Sequence, residues 1–118
     1  MINILTILEV KKQRLDGFKP FSVDLVTNMS EWFKIELTYT SNAIEGNTLS
    51  RAETALVVEK GLTVDGKTLQ EHLEAVNHAQ AFDWVMQRID TTKRDITEST
   101  VLDLHQLILQ KIVDNQAG

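Results

Sequence analysis

Two side chains near the middle of the sequence are of the right types, at the right separation, to cooperate. Ser41 and Glu45 stand four apart in Thr40-Ser41-Asn42-Ala43-Ile44-Glu45-Gly46-Asn47-Thr48-Leu49. On a helix that spacing puts both on one face, one turn from each other. The chemistry open to them is capture of a cation: a carboxylate, its rotamer held by a hydroxyl, offered to a guanidinium that binds it bidentately. Gly46 directly after Glu45 predicts that the helix ends there in a left-handed cap. A carboxylate in that place faces the negative pole of the helix dipole, where a cation is preferred by about 0.3–1 kcal/mol. Two readings follow: a solvated surface glutamate that carries a small cost, or a glutamate placed to meet a cation from outside its own helix.

Other groups carry less. His72 and His78 are six apart, which is not the i, i+4 spacing of a helical metal pair. Glu71 and Glu74 flank His72, and both carboxylates read as solvated helix surface, so no metal is assigned. His105, beside the apolar stripe of the last helix, reads as a packed histidine, since no nucleophile is set beside it. No glycine-rich phosphate loop exists; Gly46-Asn47-Thr48 is a turn and cap. No catalytic or cofactor-binding residue is assigned to these 118 residues.

The elements that must position Ser41 and Glu45 read as helices. One proline and five glycines leave helix-length segments between breaks. Residues 3–15, with Ile4, Ile7, Leu8 and Leu15 near helical spacing, predict a core-facing first helix, and Lys19-Pro20-Phe21 is a connector. Ser22 caps the main helix. Along it Val26, Met29, Phe33, Leu37, Thr40 and Ile44 make one stripe, widened by Leu25 and Trp32, and core packing of that stripe is expected to hold the Ser41–Glu45 turn rigid. Ser50-Arg51-Ala52-Glu53 is a capping box opening a helix that stops at Gly61. Residues 62–67 are a loop, with Asp65-Gly66 leaving a fragment of extended structure open. Thr68-Leu69-Gln70-Glu71 is a second capping box, for a helix to about Ile89 whose buried face takes His72, Ala75, Ala79, Phe82, Met86 and Ile89. Residues 90–95 are a polar link. Thr97 caps the last helix, striped by Val101, Leu104, Ile108 and Ile112. The expected fold is all-α, an array of about five helices. Residues 1–49 carry the helices that end in the motif, residues 50–118 carry those that follow, and the two together make one structural unit.

Composition agrees with a single globular domain: 118 residues, 42% apolar and 25% charged. A net charge of −5 with no basic cluster leaves no electrostatic footprint for nucleic acid. Cysteine is absent, so there is no disulfide framework and no thiolate site. The apolar N-terminus lacks a basic region and a cleavage site and is too short to span a bilayer, which predicts a cytoplasmic protein with no membrane contact.

The motif residues also carry a resemblance. Ser41-x-x-x-Glu45-Gly46 is similar to the inhibitory motif Ser/Thr-x-x-x-Glu-Gly/Asn of the Fic family of AMP-transferring proteins. The longer string Ala43-Ile44-Glu45-Gly46-Asn47-Thr48-Leu49 resembles the form in members whose inhibitory helix precedes their catalytic core. Glu71-x-x-Glu74-Ala75-Val76-Asn77 and Leu104-His105-Gln106-Leu107-Ile108-Leu109 echo the family further on, so the resemblance covers about residues 22–118. The family's catalytic signature, His-x-Phe-x-Asp/Glu-Gly-Asn-Gly/Lys-Arg, is not present in these residues, and no histidine is followed by anything like it.

The resemblance implies the N-terminal portion of a Fic protein, truncated before that signature. It implies that the complete protein is an adenylyltransferase using ATP and Mg to place AMP on a protein hydroxyl. Glu45 would be the inhibitory glutamate, pairing with a core arginine that otherwise grips the ATP γ-phosphate, and Ser41, Gly46 and Asn47 complete the motif. The implied partner is the Fic catalytic core, in cis or in trans. The alternative is a stand-alone, antitoxin-like inhibitor acting in trans on a Fic toxin. Helices awaiting that core are expected to expose apolar surface and to favour self-association. The modified target and its residue type are not indicated.

Overall fold

The apolar stripes and caps read above specify helices, and helices are what form. The computed structural model describes residues 3–91 and 96–112. Among them are α1 (Ile4–Asp16), α2 (Val23–Ile44), α3 (Arg51–Lys60), α4 (Leu69–Thr91) and α5 (Glu98–Leu109), with no strand. The all-α array of about five helices is therefore the observed class. Residues 90 and 91 extend α4, whereas 92–95 of the expected polar link, and Gln116-Ala117-Gly118, lie outside the described residues.

The caps explain the boundaries. The Asn3 side chain accepts from Leu5 N–H, Ser22 Oγ accepts from Leu25 N–H at 3.1 Å, and Ser50 with Glu53 forms a reciprocal capping box. Thr97 forms one with Thr100. Gly61, at φ 64°, closes α3 in the left-handed region. Residues 62–67 stay a loop.

The chain divides into two compact units, Met1–Glu31 and Trp32–Gly118. In the first unit α1 has no buried residue; Ile4, Leu5, Leu8 and Leu15 are all more than half exposed. The expectation of a core-facing first helix is corrected: nothing among the described residues of its own unit covers those side chains.

In the second unit α4 packs against α3 and α5. The core is built on Leu49, Val57 and Ala75, with Val58, Val64 and Val76 against it. On α4, Ala75 and Ala79 are buried and His72, Phe82 and Met86 half-buried as expected, whereas Ile89 is exposed. On α5, Leu104 and Ile108 are half-buried, as is Ile112 in the turn beyond the helix, while Val101 and His105 are exposed, so His105 is not a packed histidine.

The α2 stripe is the second correction. Val26, Met29, Phe33, Leu37 and Ile44 are 47–84% exposed. The face turned inward is Lys34, Ile35, Thr38, Ser41 and Asn42, also spaced at threes and fours. Thr38, fully buried, bonds His78 Nδ1 through its hydroxyl at 3.1 Å, and Lys34 reaches Asp83 on α4. A period of 3.6 says which side chains share a face, not which face finds a partner. No helix among the described residues is long and apolar enough to cross a membrane.

Candidate functional site

The end of α2 is shaped by backbone hydrogen bonds. Gly46 N–H reaches Ala43 O at 3.1 Å and Asn47 N–H reaches Asn42 O at 3.0 Å. This pair of bonds is the Schellman motif, with Gly46 at its left-handed position, φ 97°. Glu45 is then the residue after the last helical one, Ile44, and its own N–H bonds back to Asn42 O at 3.1 Å. The expected turn therefore forms, displaced by one residue: Glu45 caps the helix end rather than riding its last turn. Its side chain is exposed.

Ser41 is half-buried, and no hydrogen bond joins it to Glu45. The i, i+4 geometry that would align them holds only while the chain stays helical, and here the spiral ends at Ile44. Asn42 Nδ2 beside them is buried and has no hydrogen-bond partner.

What holds the turn lies downstream of Glu45. Asn47 is buried; its amide donates to Glu71 O at 3.1 Å and to Glu74 Oε1 at 3.4 Å, while its Oδ1 accepts from Leu49 N–H at 2.9 Å. Thr48 donates twice to Glu71 Oε2, from its N–H at 2.6 Å and its hydroxyl at 2.5 Å. Lys67 donates to Thr48 O at 2.8 Å and lies 3.9 Å from Glu53. Two ends of the second unit thus converge on one loop: the C-terminus of α2 and the first turn of α4.

These contacts set the local electrostatics. The Thr48 hydroxyl, then the N–H groups of Thr48 and Thr68, stabilise the Glu71 carboxylate and pull its pKa to about 2. Glu74 moves the other way: burial raises it against the Asn47 hydrogen bond, and the charges of Glu71 and Glu45 add to the rise. The rim of the turn carries three carboxylates, Glu45, Glu71 and Glu74, with the Lys67 ammonium at Thr48 offsetting part of their charge. Nearby Arg51 is already engaged, paired with Glu36 and set 5.1 Å over the Tyr39 ring. Among the described residues no group of three His, Cys, Asp or Glu side chains could hold a metal ion.

Glu71 and Glu74, read from the sequence as solvated surface, are thus partners of the turn. The one signal for Glu71 was its capping box: Oε1 accepts from Thr68 N–H at 3.1 Å, leaving Oε2 to offer elsewhere. Nothing local in sequence pointed that second oxygen at Thr48, 23 residues away.

No family model matches the chain, and no solved structure matches it. Curated relatives do. Protein adenylyltransferase Fic of Nematostella vectensis is 27% identical over 116 residues, which is 98% of this chain and 27% of that protein. The protein of the same name from Aedes aegypti is 31% identical over 111 residues, 94% of this chain and 22% of the relative. That from Drosophila melanogaster is 34% identical over 80 residues, 68% of this chain and 16% of the relative. The chain thus spans about a quarter or less of the length of the curated relatives it matches. Over most of its own length, this chain is related to the Fic protein adenylyltransferases.

Proposed function

We propose that the chain is the regulatory N-terminal part of a Fic-type adenylyltransferase, in which Glu45 pairs with an arginine of the catalytic core and so denies that arginine to the ATP γ-phosphate. The observation that carries this reading is the presentation of Glu45: an exposed carboxylate on a glycine-capped helix end, free of any bond to Ser41, on an acidic rim. In this reading Ser41 helps form the inward face of α2, Gly46 makes the turn and Asn47 anchors it. No residue of this chain is assigned to ATP or Mg; both belong to the core. The exposed α2 stripe is the surface such a core would cover, and uncovered it favours self-association.

The energies suffice. Unit charges about 4 Å apart near a protein surface attract by about 4 kcal/mol before desolvation is subtracted. A net of about 1.4 kcal/mol already corresponds to tenfold in rate. The test is Glu45→Gly in a polypeptide that also carries the Fic catalytic signature, read as AMP transfer from labelled ATP. At least about a tenfold rise is expected, and unchanged transfer overturns the proposal. Adding this chain to a separately made Fic core distinguishes action in cis from action in trans.

A further inference from the structure

We propose that Glu71 is a positioning residue for the Glu45 turn, a clip whose two carboxylate oxygens tie the loop after Glu45 to the first turn of α4. The inference rests on the reading of Glu45 given above. Its geometry is a four-bond clasp. Oε2 accepts from Thr48 N–H at 2.6 Å and Thr48 Oγ1 at 2.5 Å, and Oε1 accepts from Thr68 N–H at 3.1 Å and Thr68 Oγ1 at 3.2 Å. The Glu71 backbone takes part as well, since its carbonyl accepts from Asn47 Nδ2 at 3.1 Å. Glu45 is three residues from Thr48. The N–H groups of Glu45, Gly46 and Asn47 bond back to the end of α2, and the clasp holds the chain at Thr48, so the Glu45 turn is tied on both sides. Ser41, which the spacing made the natural brace for Glu45, makes no bond to it, so the clasp downstream does the bracing.

Only a carboxylate closes this clasp. Two threonines each present an N–H and a hydroxyl, and they need one acceptor oxygen apiece. Glutamine has a single acceptor, so its amide NH₂ would face the donors of one threonine, and that half of the clasp would open. A loosened loop widens the positions Glu45 can take, and an arginine–carboxylate pair depends on a narrow geometry.

The experiment compares wild type, Glu71→Gln, Glu45→Gly and the double variant, each in a polypeptide carrying the Fic catalytic signature, by kcat and KM for ATP in AMP transfer. Glu71→Gln is expected to raise kcat/KM by about threefold to tenfold, the size of one or two lost hydrogen bonds. It is expected to add nothing in the Glu45→Gly background. Residues that act through one another couple in such a cycle, whereas independent effects add. A Glu71→Gln protein as inhibited as wild type, beside an activated Glu45→Gly, overturns the clip and leaves the inhibitory glutamate standing. An equal gain in both backgrounds also overturns it. Failure of Glu45→Gly to activate overturns the reading beneath. Thr48→Val, which keeps the N–H arm but removes the hydroxyl that donates to Glu71 and accepts from Lys67 Nζ at 3.2 Å, should shift activity in the same direction by less, and serves if Glu71→Gln does not fold.

Discussion

Replacing Asn77 with alanine is the sharpest test of how the second unit is held together. Asn77 sits on α4 at 4% exposure, and its amide donates to Ile108 O at 3.1 Å and Gln110 O at 2.7 Å. Ile108 lies in the last turn of α5, where carbonyls have no partner within the helix, and Gln110 is the residue that ends it. One buried side chain on α4 therefore supplies the C-terminal cap of α5. Each lost bond is worth about 0.5–1.5 kcal/mol, and more where the carbonyl left behind stays dry. Alanine returns roughly half a kcal/mol in helix propensity. The net is a destabilisation of about 0.5–2.5 kcal/mol, toward the upper end if the carbonyls stay dry, which at this chain length lowers Tm by about 3–12 °C. Thermal melting followed by far-ultraviolet circular dichroism reads it, and amide exchange should place the loss in α5. Asn77→Asp is the control: same shape, but carboxylate oxygens instead of a donor facing two carbonyls, so at neutral pH it should cost at least as much. If Asn77→Ala melts within about 2 °C of wild type, or Asn77→Asp matches wild type, the amide is not the cap and the reasoning fails.

Stability should fall with acid in two separate windows. Burial lowers the pKa of His78 from its ordinary 6.5, so the native state favours neutral imidazole; that contribution is complete above 6.5 and fades as pH drops below it. Glu71, lowered from 4.5 to about 2, contributes fully above 4.5 and loses its contribution as pH falls toward 2. Glu74, raised by burial, opposes this, because neutralising it relieves a cost. Tm measured from pH 7.5 down to 2 checks the scheme: Glu71→Gln should flatten the acid window, and an unaltered profile would contradict the clasp. Gly46→Ala should cost about 1–2 kcal/mol from backbone conformation alone, since φ is 97° and an added Cβ meets no atom within 4 Å. Chemical denaturation measures that loss, and a wild-type midpoint would mean the turn is not held in the left-handed region.

What the sequence determined by itself is local. Helix starts at Ser22, Ser50, Thr68 and Thr97 and stops at Gly46 and Gly61 are written in bonds that span six residues or fewer. Such bonds depend on residue type and spacing alone, so the five helices and the turn after Glu45 were legible. Which helix face turns inward was not. The stripe of Val26, Met29, Phe33 and Leu37 is apolar and regular, yet Ile35 and Thr38 are the buried pair. Burial is decided by which neighbour arrives, and here the neighbour is α4, bonding Thr38 through His78 from 40 residues away. The same holds at the turn. Ser41 had the spacing to brace Glu45, but the helix ends too soon for it. The brace comes from Glu71, which only the packing of α4 beside the loop brings within reach of Thr48. Local bonds set the elements; the second oxygen of Glu71 and the amide of Asn77 found their partners only once the helices had packed.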